Sequence, residues 1–267
     1  FSVRNARASA LWDFVQSHPE DVPRWFRLVA LDGSDAGGYQ FPLPFGTMGF
    51  EPLMQRARDK GELNYIHGAM GINFLNNPDE ADVNATRVSD LDPTSVRDLT
   101  LAQIETRRQA VSLVGFLRRE IPGFSNAEIC HSAVELERRE GRRLVGEYVL
   151  QPKELLEGRE YPDTVMRGAY HLETHDPNTG ARVWTWINRP YNIPYRAFLP
   201  KHAENILPGS GRELSQTHVV SGAMRVAPSK FAVGHAAGVA AALAARTRKS
   251  PAQVDVNELR AELKGQG

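Results

Sequence analysis

His218 and Arg225, seven residues apart, are the two side chains whose types can do chemistry together. An imidazole beside a guanidinium can bind an oxygen-rich substrate, stabilise developing negative charge, and handle a proton during hydride transfer. Taken singly, each reads equally well as a surface histidine and a solvated arginine. The segment C-terminal to them sharpens the question. Residues 229–248 predict a helix built largely of Ala and Gly, with Gly234-His235-Ala236-Ala237-Gly238 at its centre. Glycine inside a helix costs about 1 kcal/mol relative to alanine, so two of them four residues apart need a reason. One reason is close packing on another helix or strand, and periodicity favours it. The other is a helix N-terminus approaching a bound cofactor, where free N–H groups and the helix dipole favour negative charge. The preceding loop, with Gly211-Arg212, Ser215, Thr217-His218 and Met224-Arg225, draws the reading towards the second.

Other chemistries find less support. His171 and His175 flank Glu173 at a spacing that binds metal on a helix, but the local pattern is strand and His175 falls in a turn, so no metal site is assigned. His67 is isolated. No G-x-S-x-G elbow, P-loop or G-x-G-x-x-G occurs; Gly209-Ser210-Gly211 lacks the third glycine. Cys130 is the only cysteine, which excludes an internal disulfide and any zinc site built from cysteines. It reads as a buried small residue.

Composition sets the frame. The 267 residues carry 32 Lys+Arg against 32 Asp+Glu. That zero net charge speaks against a general nucleic-acid or anionic-membrane binder. A hydrophobic content of 41% supplies a core, and no apolar run approaches the roughly 18 residues that span a bilayer. The reading is a soluble protein, cytoplasmic in preference. Phe1-Ser2-Val3-Arg4 has neither an initiator Met nor a signal-peptide layout, which reads as a chain that starts within something longer.

The elements that must position these residues come from periodicity. Residues 5–31 read as helical with interruptions at Pro19 and Pro23, 32–50 as a long Gly-, Pro- and aromatic-rich loop, 51–60 as a short basic helix and 72–92 as strand and loop. Thr100 with Gln103 forms a capping box for a helix whose apolar face is Leu101, Ile104, Val111, Val114 and Leu117, ended by Pro122-Gly123. Residues 143–150 alternate as a strand, and 167–174 with 182–187 pair as a hairpin across Asp176–Gly180. A short strand is expected near Pro194–Pro200, then a glycine turn and a polar loop ahead of the Ala-rich helix. A last amphipathic segment uses Val256, Leu259 and Leu263.

From about Asn84 onward the chain resembles FAD-dependent oxidoreductases of a broad bacterial family. Val83–Val88, Leu99–Ala110 and Ile121-Pro122-Gly123-Phe124 carry the resemblance. Arg139–Leu150 is its most specific segment, and Ile193-Pro194-Tyr195-Arg196 with Leu199-Pro200-Lys201 fits the approach to the flavin. The last block is similar, more distantly, to the flavoprotein subunit of fumarate reductases and succinate dehydrogenases. The resemblance implies that Gly211, Arg212 and Ser215 lie along the FAD ribityl and pyrophosphate. Met224, Arg225 and Val226 would meet the isoalloxazine ring, with Gly234, Ala237 and Gly238 in the helix behind it. His218 and Arg225 would contact substrate, with Tyr195 and Arg196 beside them. Members of the family begin with a G-x-G-x-x-G strand–turn–helix, which is missing here, and Leu207–Arg212 departs from their apolar strand before Gly-Arg.

The expected fold is α+β. Residues 1–193 form a substrate-binding domain with a mixed sheet and flanking helices, 194–248 complete a Rossmann-like FAD domain, and 249–267 add a helix and tail. The expected function is the C-terminal portion of an FAD-dependent oxidoreductase that transfers a hydride between a small polar organic substrate and flavin. A companion chain or missing segment would carry the dinucleotide motif, and this chain alone would bind FAD poorly. The alternative is a non-catalytic partner subunit that keeps the flavoprotein fold without its own cofactor.

Overall fold

A computed structural model describes residues 1–21, 26–29, 35–39, 46–63, 69–74, 77–139, 141–176 and 182–267. His67, most of the aromatic loop tip and the turn at 177–180 lie outside the described residues. In chain order the elements are β1 (Ser2–Arg4), α1 (Ala8–Ser17), β2 (Phe26–Val29), β3 (Asp35–Tyr39), β4 (Gly46–Gly49), α2 (Glu51–Asp59), β5 (Met70–Asn73), β6 (Glu80–Asn84), α3 (Val96–Glu120) and β7 (Glu128–His131). Then come α4 (Pro152–Glu157), β8 (Thr164–Gly168), β9 (Leu172–His175), β10 (Arg182–Thr185), β11 (Tyr191–Pro194), α5 (His218–Met224), α6 (Ala227–Thr247) and α7 (Val256–Gly265). Helices mix with small sheets in an α+β arrangement. Contacts divide the chain into two compact units, one of residues 1–28, 37–137 and 175–183, the other of 29–36, 138–174 and 184–267.

The first unit is built on an antiparallel sheet in the order β4-β5-β6-β1-β7. Alternation sends Val3, Ala81 and Val83 into the core, where Leu11, Met54, Phe116 and Phe124 meet them. It leaves Glu80, Asp82 and Arg4 on the outer face. The helix predicted over 5–31 stops at Ser17, two residues before Pro19, and 26–29 is strand. The predicted long loop likewise contains β3 and β4.

Two expectations for α3 are corrected. Its N-cap is Ser95, whose hydroxyl accepts from the Asp98 amide at 3.3 Å, while Thr100 lies inside the helix and donates to the Val96 carbonyl at 2.8 Å. The apolar face is also rotated. Leu113, Val114, Phe116 and Leu117 are buried, but Leu101, Ile104 and Val111 are 48%, 45% and 66% exposed. Gln109 takes a core position because its amide pairs with the backbone of Arg87, at 2.9 Å in each direction.

The second unit packs α4, α5, α6 and α7 with the antiparallel pair β8–β11 around Leu150, Tyr191, Phe198, Met224, Val233 and Leu243. Strand was expected at 143–150 and near 194–200; β11 ends at Pro194, and the rest is reduced to isolated bridges of Gly146 with Pro200 and Leu150 with Gln216. Leu144, Glu147 and Leu150 donate instead to Glu213, Leu199 and Ser215 respectively, at 2.8, 2.9 and 3.1 Å. The donors are shared between two stretches, 199–201 and 213–217, so pairing stops at single bridges, and Tyr195–Ala197 is a single 3-10 turn. The hairpin prediction holds in part: β9 and β10 are neighbours in a four-stranded sheet ordered β3-β2-β10-β9, but residues 167–168 belong to β8, which pairs with β11.

Candidate functional site

Much of the candidate site is assembled around α5. Thr217 caps it by accepting from the Val220 amide, and the small residues Ser221, Gly222 and Ala223 then run buried. Two glycines let backbone approach backbone here. A Cβ at Gly222 would lie 2.3 Å from the Glu173 carbonyl oxygen, and one at Gly211 would lie 2.2 Å from that of Met224. The polar loop expected before the Ala-rich helix is therefore partly helix. His218 opens α5, exposed, and Arg225 is its C-cap, buried. Seven residues of helix rise put them about 10 Å apart along the axis.

Arg225 closes a buried chain of polar groups. Its Nη2 lies 2.6 Å from Glu173 Oε2, with side chains 9% and 7% exposed. The Tyr170 hydroxyl donates to the same carboxylate oxygen at 2.8 Å. Beside it, His171 is stacked between Tyr170 and Trp184, ring centroids at 4.0 and 4.2 Å. Its Nε2 is buried without a hydrogen-bond partner. Burial pushes the imidazole below its ordinary value; Glu173 opposes this and Arg225 adds to it. A group with a depressed folded value resists protonation, whereas the unfolded chain takes the proton near the usual pH of about 6.5. Stability is therefore expected to fall as pH drops below that value. Thermal melts of His171→Phe should lack this part of the acid loss.

The remaining predicted residues fall into distinct settings. Ser215 is buried, its hydroxyl accepting from the Gly146 amide at 3.0 Å. Arg212 donates to the Arg138 carbonyl at 2.7 Å and to Glu213 at 3.0 Å. Tyr195 is buried and donates to the Pro251 carbonyl at 2.8 Å, and burial pushes its phenol up to about 12. The Arg196 guanidinium lies over the Tyr148 and Tyr161 rings at 4.6 and 5.3 Å and pairs with Asp163 at 3.4 Å. Sequence reasoning missed the acid beneath these aromatics. Glu154 accepts from the Tyr148 hydroxyl, from Arg159 at 2.6 Å and from the Gln151 amide at 3.0 Å. Burial alone would raise its carboxyl, but these donors hold it below the ordinary value. The signal was present in Gln151-Pro152-Lys153-Glu154, a capping box with proline in the first turn.

Helix α6 provides the best test of whether the chain suits a flavin. Its N-cap is Val226, half-buried, with no side-chain cap and no acid in the first turn. Ala227 and Pro228 are exposed, which leaves the positive end of the dipole uncompensated. Gly234 has a packing reason, since its Cβ would stand 3.1 Å from the Gly209 carbonyl. Ala237 sits in the core. Gly238 has no such reason: a Cβ there would meet nothing within 4 Å. Gly238→Ala should therefore stabilise this chain by up to about 1 kcal/mol, measured by urea unfolding. A cleft of about 620 Å³ elsewhere in the second unit is lined by Tyr161, Arg167, Asn192, Arg260 and Lys264 and includes none of the predicted site residues. Among the described residues no helix is long and apolar enough to cross a membrane.

No curated protein and no solved structure matches the chain. A family profile described as FAD dependent oxidoreductase matches residues 16–263, all but short stretches at either end. This match over most of the chain gives the identity: the chain belongs to the FAD dependent oxidoreductase family.

Proposed function

We propose that the chain provides the C-terminal, substrate-facing portion of a flavin oxidoreductase acting on a small polar organic substrate. The observation that carries the reading is the uncapped N-terminus of α6, directly after Met224, Arg225 and Val226. When bound, flavin would supply the two-electron chemistry, a hydride passing between it and the substrate. The chain's own residues supply orientation and charge. The first turn of α6 favours the negative charge that develops on the ring. His218 exchanges a proton with substrate. Arg225, held and neutralised by Glu173, fixes the corner between α5 and α6. Gly211 and Ser215 lock a loop that, with Arg212, would hold the cofactor. Tyr195 and Arg196 would line the substrate side, and Gly238 leaves room for close approach.

A G-x-G-x-x-G element is not found in the 267 residues, so in this reading the adenosine diphosphate part of FAD is held by a further segment or companion chain. The 267-residue chain alone is expected to elute from gel filtration colourless after incubation with FAD, and to retain flavin absorbance once that element is supplied. Stoichiometric FAD on the chain alone would overturn the two-part site. One observation favours a second reading, a non-catalytic subunit that keeps the fold: Arg225 and Ser215 already spend their polar groups internally. A flavin-free complex with a partner would support that reading.

A further inference from the structure

On the outer face of the first unit's sheet, β1 lies between β6 and the edge strand β7. Val3 pairs with Ile129, but the next β1 residue, Ser2, pairs with His131. Cys130 is thus one extra residue on β7, a bulge. Neighbouring side chains on a regular strand point to opposite faces, and a bulge re-aims them. Here Cys130 and His131 both reach the same acid on β6. Cys130 Sγ lies 3.7 Å from Glu80 Oε1, and His131 Nε2 lies 4.0 Å from the same oxygen. All three donor atoms fall within 4.8 Å of one another. Ser2, the β1 residue opposite the bulge, is small and turns its hydroxyl to Asp82.

We propose that Glu80, Cys130 and His131 form a binding site for a borderline divalent metal ion of the zinc class. A thiolate, an imidazole and a carboxylate are the donor types such ions select. Zinc bonds of about 2.3 Å to sulfur, about 2.0–2.1 Å to nitrogen and about 2.0–2.2 Å to oxygen put tetrahedral donors roughly 3.3–3.7 Å apart. The observed 3.7 and 4.0 Å need only small side-chain adjustments. Three protein donors leave one coordination position for water. Binding displaces the thiol proton to solvent. Burial, with the Glu80 carboxylate beside it, pushes the Cys130 thiol up in the metal-free protein. A single cysteine rules out a cysteine-only zinc site but not this mixed one, and the ion would staple β6 to β7 across β1.

Cobalt(II) is the probe, titrated into reduced, metal-free protein. The site predicts a saturable one-to-one complex with a thiolate-to-cobalt charge-transfer band in the near ultraviolet. Cys130→Ser should abolish the band. Glu80→Gln and His131→Ala should each weaken affinity beyond the roughly 10–100-fold that losing an outer-shell partner costs. Glu128→Gln, a nearby acid paired with Arg4, should bind as the parent does. Circular dichroism checks that the variants fold. The proposal is overturned by the absence of the band, by parental affinity in Cys130→Ser, or by an unchanged complex in both Glu80→Gln and His131→Ala.

Discussion

Replacing Glu173 with leucine is expected to cost about 3–5 kcal/mol, because it strands the Arg225 guanidinium in a buried position without its counter-charge. The pair is 2.6 Å long and nearly inaccessible to water, and the same carboxylate accepts from Tyr170. The cost should therefore lie well above that of an exposed ion pair, which contributes about 0–1 kcal/mol. Adding Arg225→Met to Glu173→Leu should recover most of the loss, since a buried ion pair exchanged for apolar groups of similar volume is often neutral or better. Urea midpoints for the single and double variants decide the matter. Equal destabilisation of both would show that the leucine itself, not the unpaired charge, causes the loss.

Gly222→Ala should act with the opposite sign from helix propensity. In an exposed helix interior the change gains about 1 kcal/mol. In α5 the new methyl would stand 2.3 Å from the Glu173 carbonyl oxygen and 3.1 Å from two further backbone atoms of that residue. Backbone on both sides cannot yield cheaply, so a loss of about 3 kcal/mol or more is expected, at or above the usual overpacking range. Gly238→Ala provides the comparison, because a methyl there would meet nothing within 4 Å. A stabilised Gly222→Ala would mean that α5 does not press on Glu173.

The helices were legible where local chemistry decides them. Ala-rich α6 and the stop before Pro122-Gly123 both came from residue type, as did the neighbouring strands β9 and β10. The sequence did not tell which side of α3 meets the sheet. Leu101, Ile104 and Val111 are apolar and helically spaced, yet the unit buries the stripe through Gln109, Leu113 and Phe116. The strand expected at 143–150 failed for a related reason: alternation shows which side chains face inward, whereas a ladder also needs one partner strand, and these amides find three separate acceptors. For the candidate site, residue types marked the segment 209–238, but the partners of those residues lie far along the chain. Glu173 serves Arg225 and Gly146 serves Ser215, and no local pattern links either pair.

Native mass spectrometry of the purified protein tests the central claim most directly, because it reports bound flavin and any companion polypeptide together. The account predicts one FAD per copy of this chain, present only where a polypeptide carrying the glycine-rich dinucleotide motif is also bound or joined to it. An assembly of this chain with such a partner that carries no flavin would contradict it.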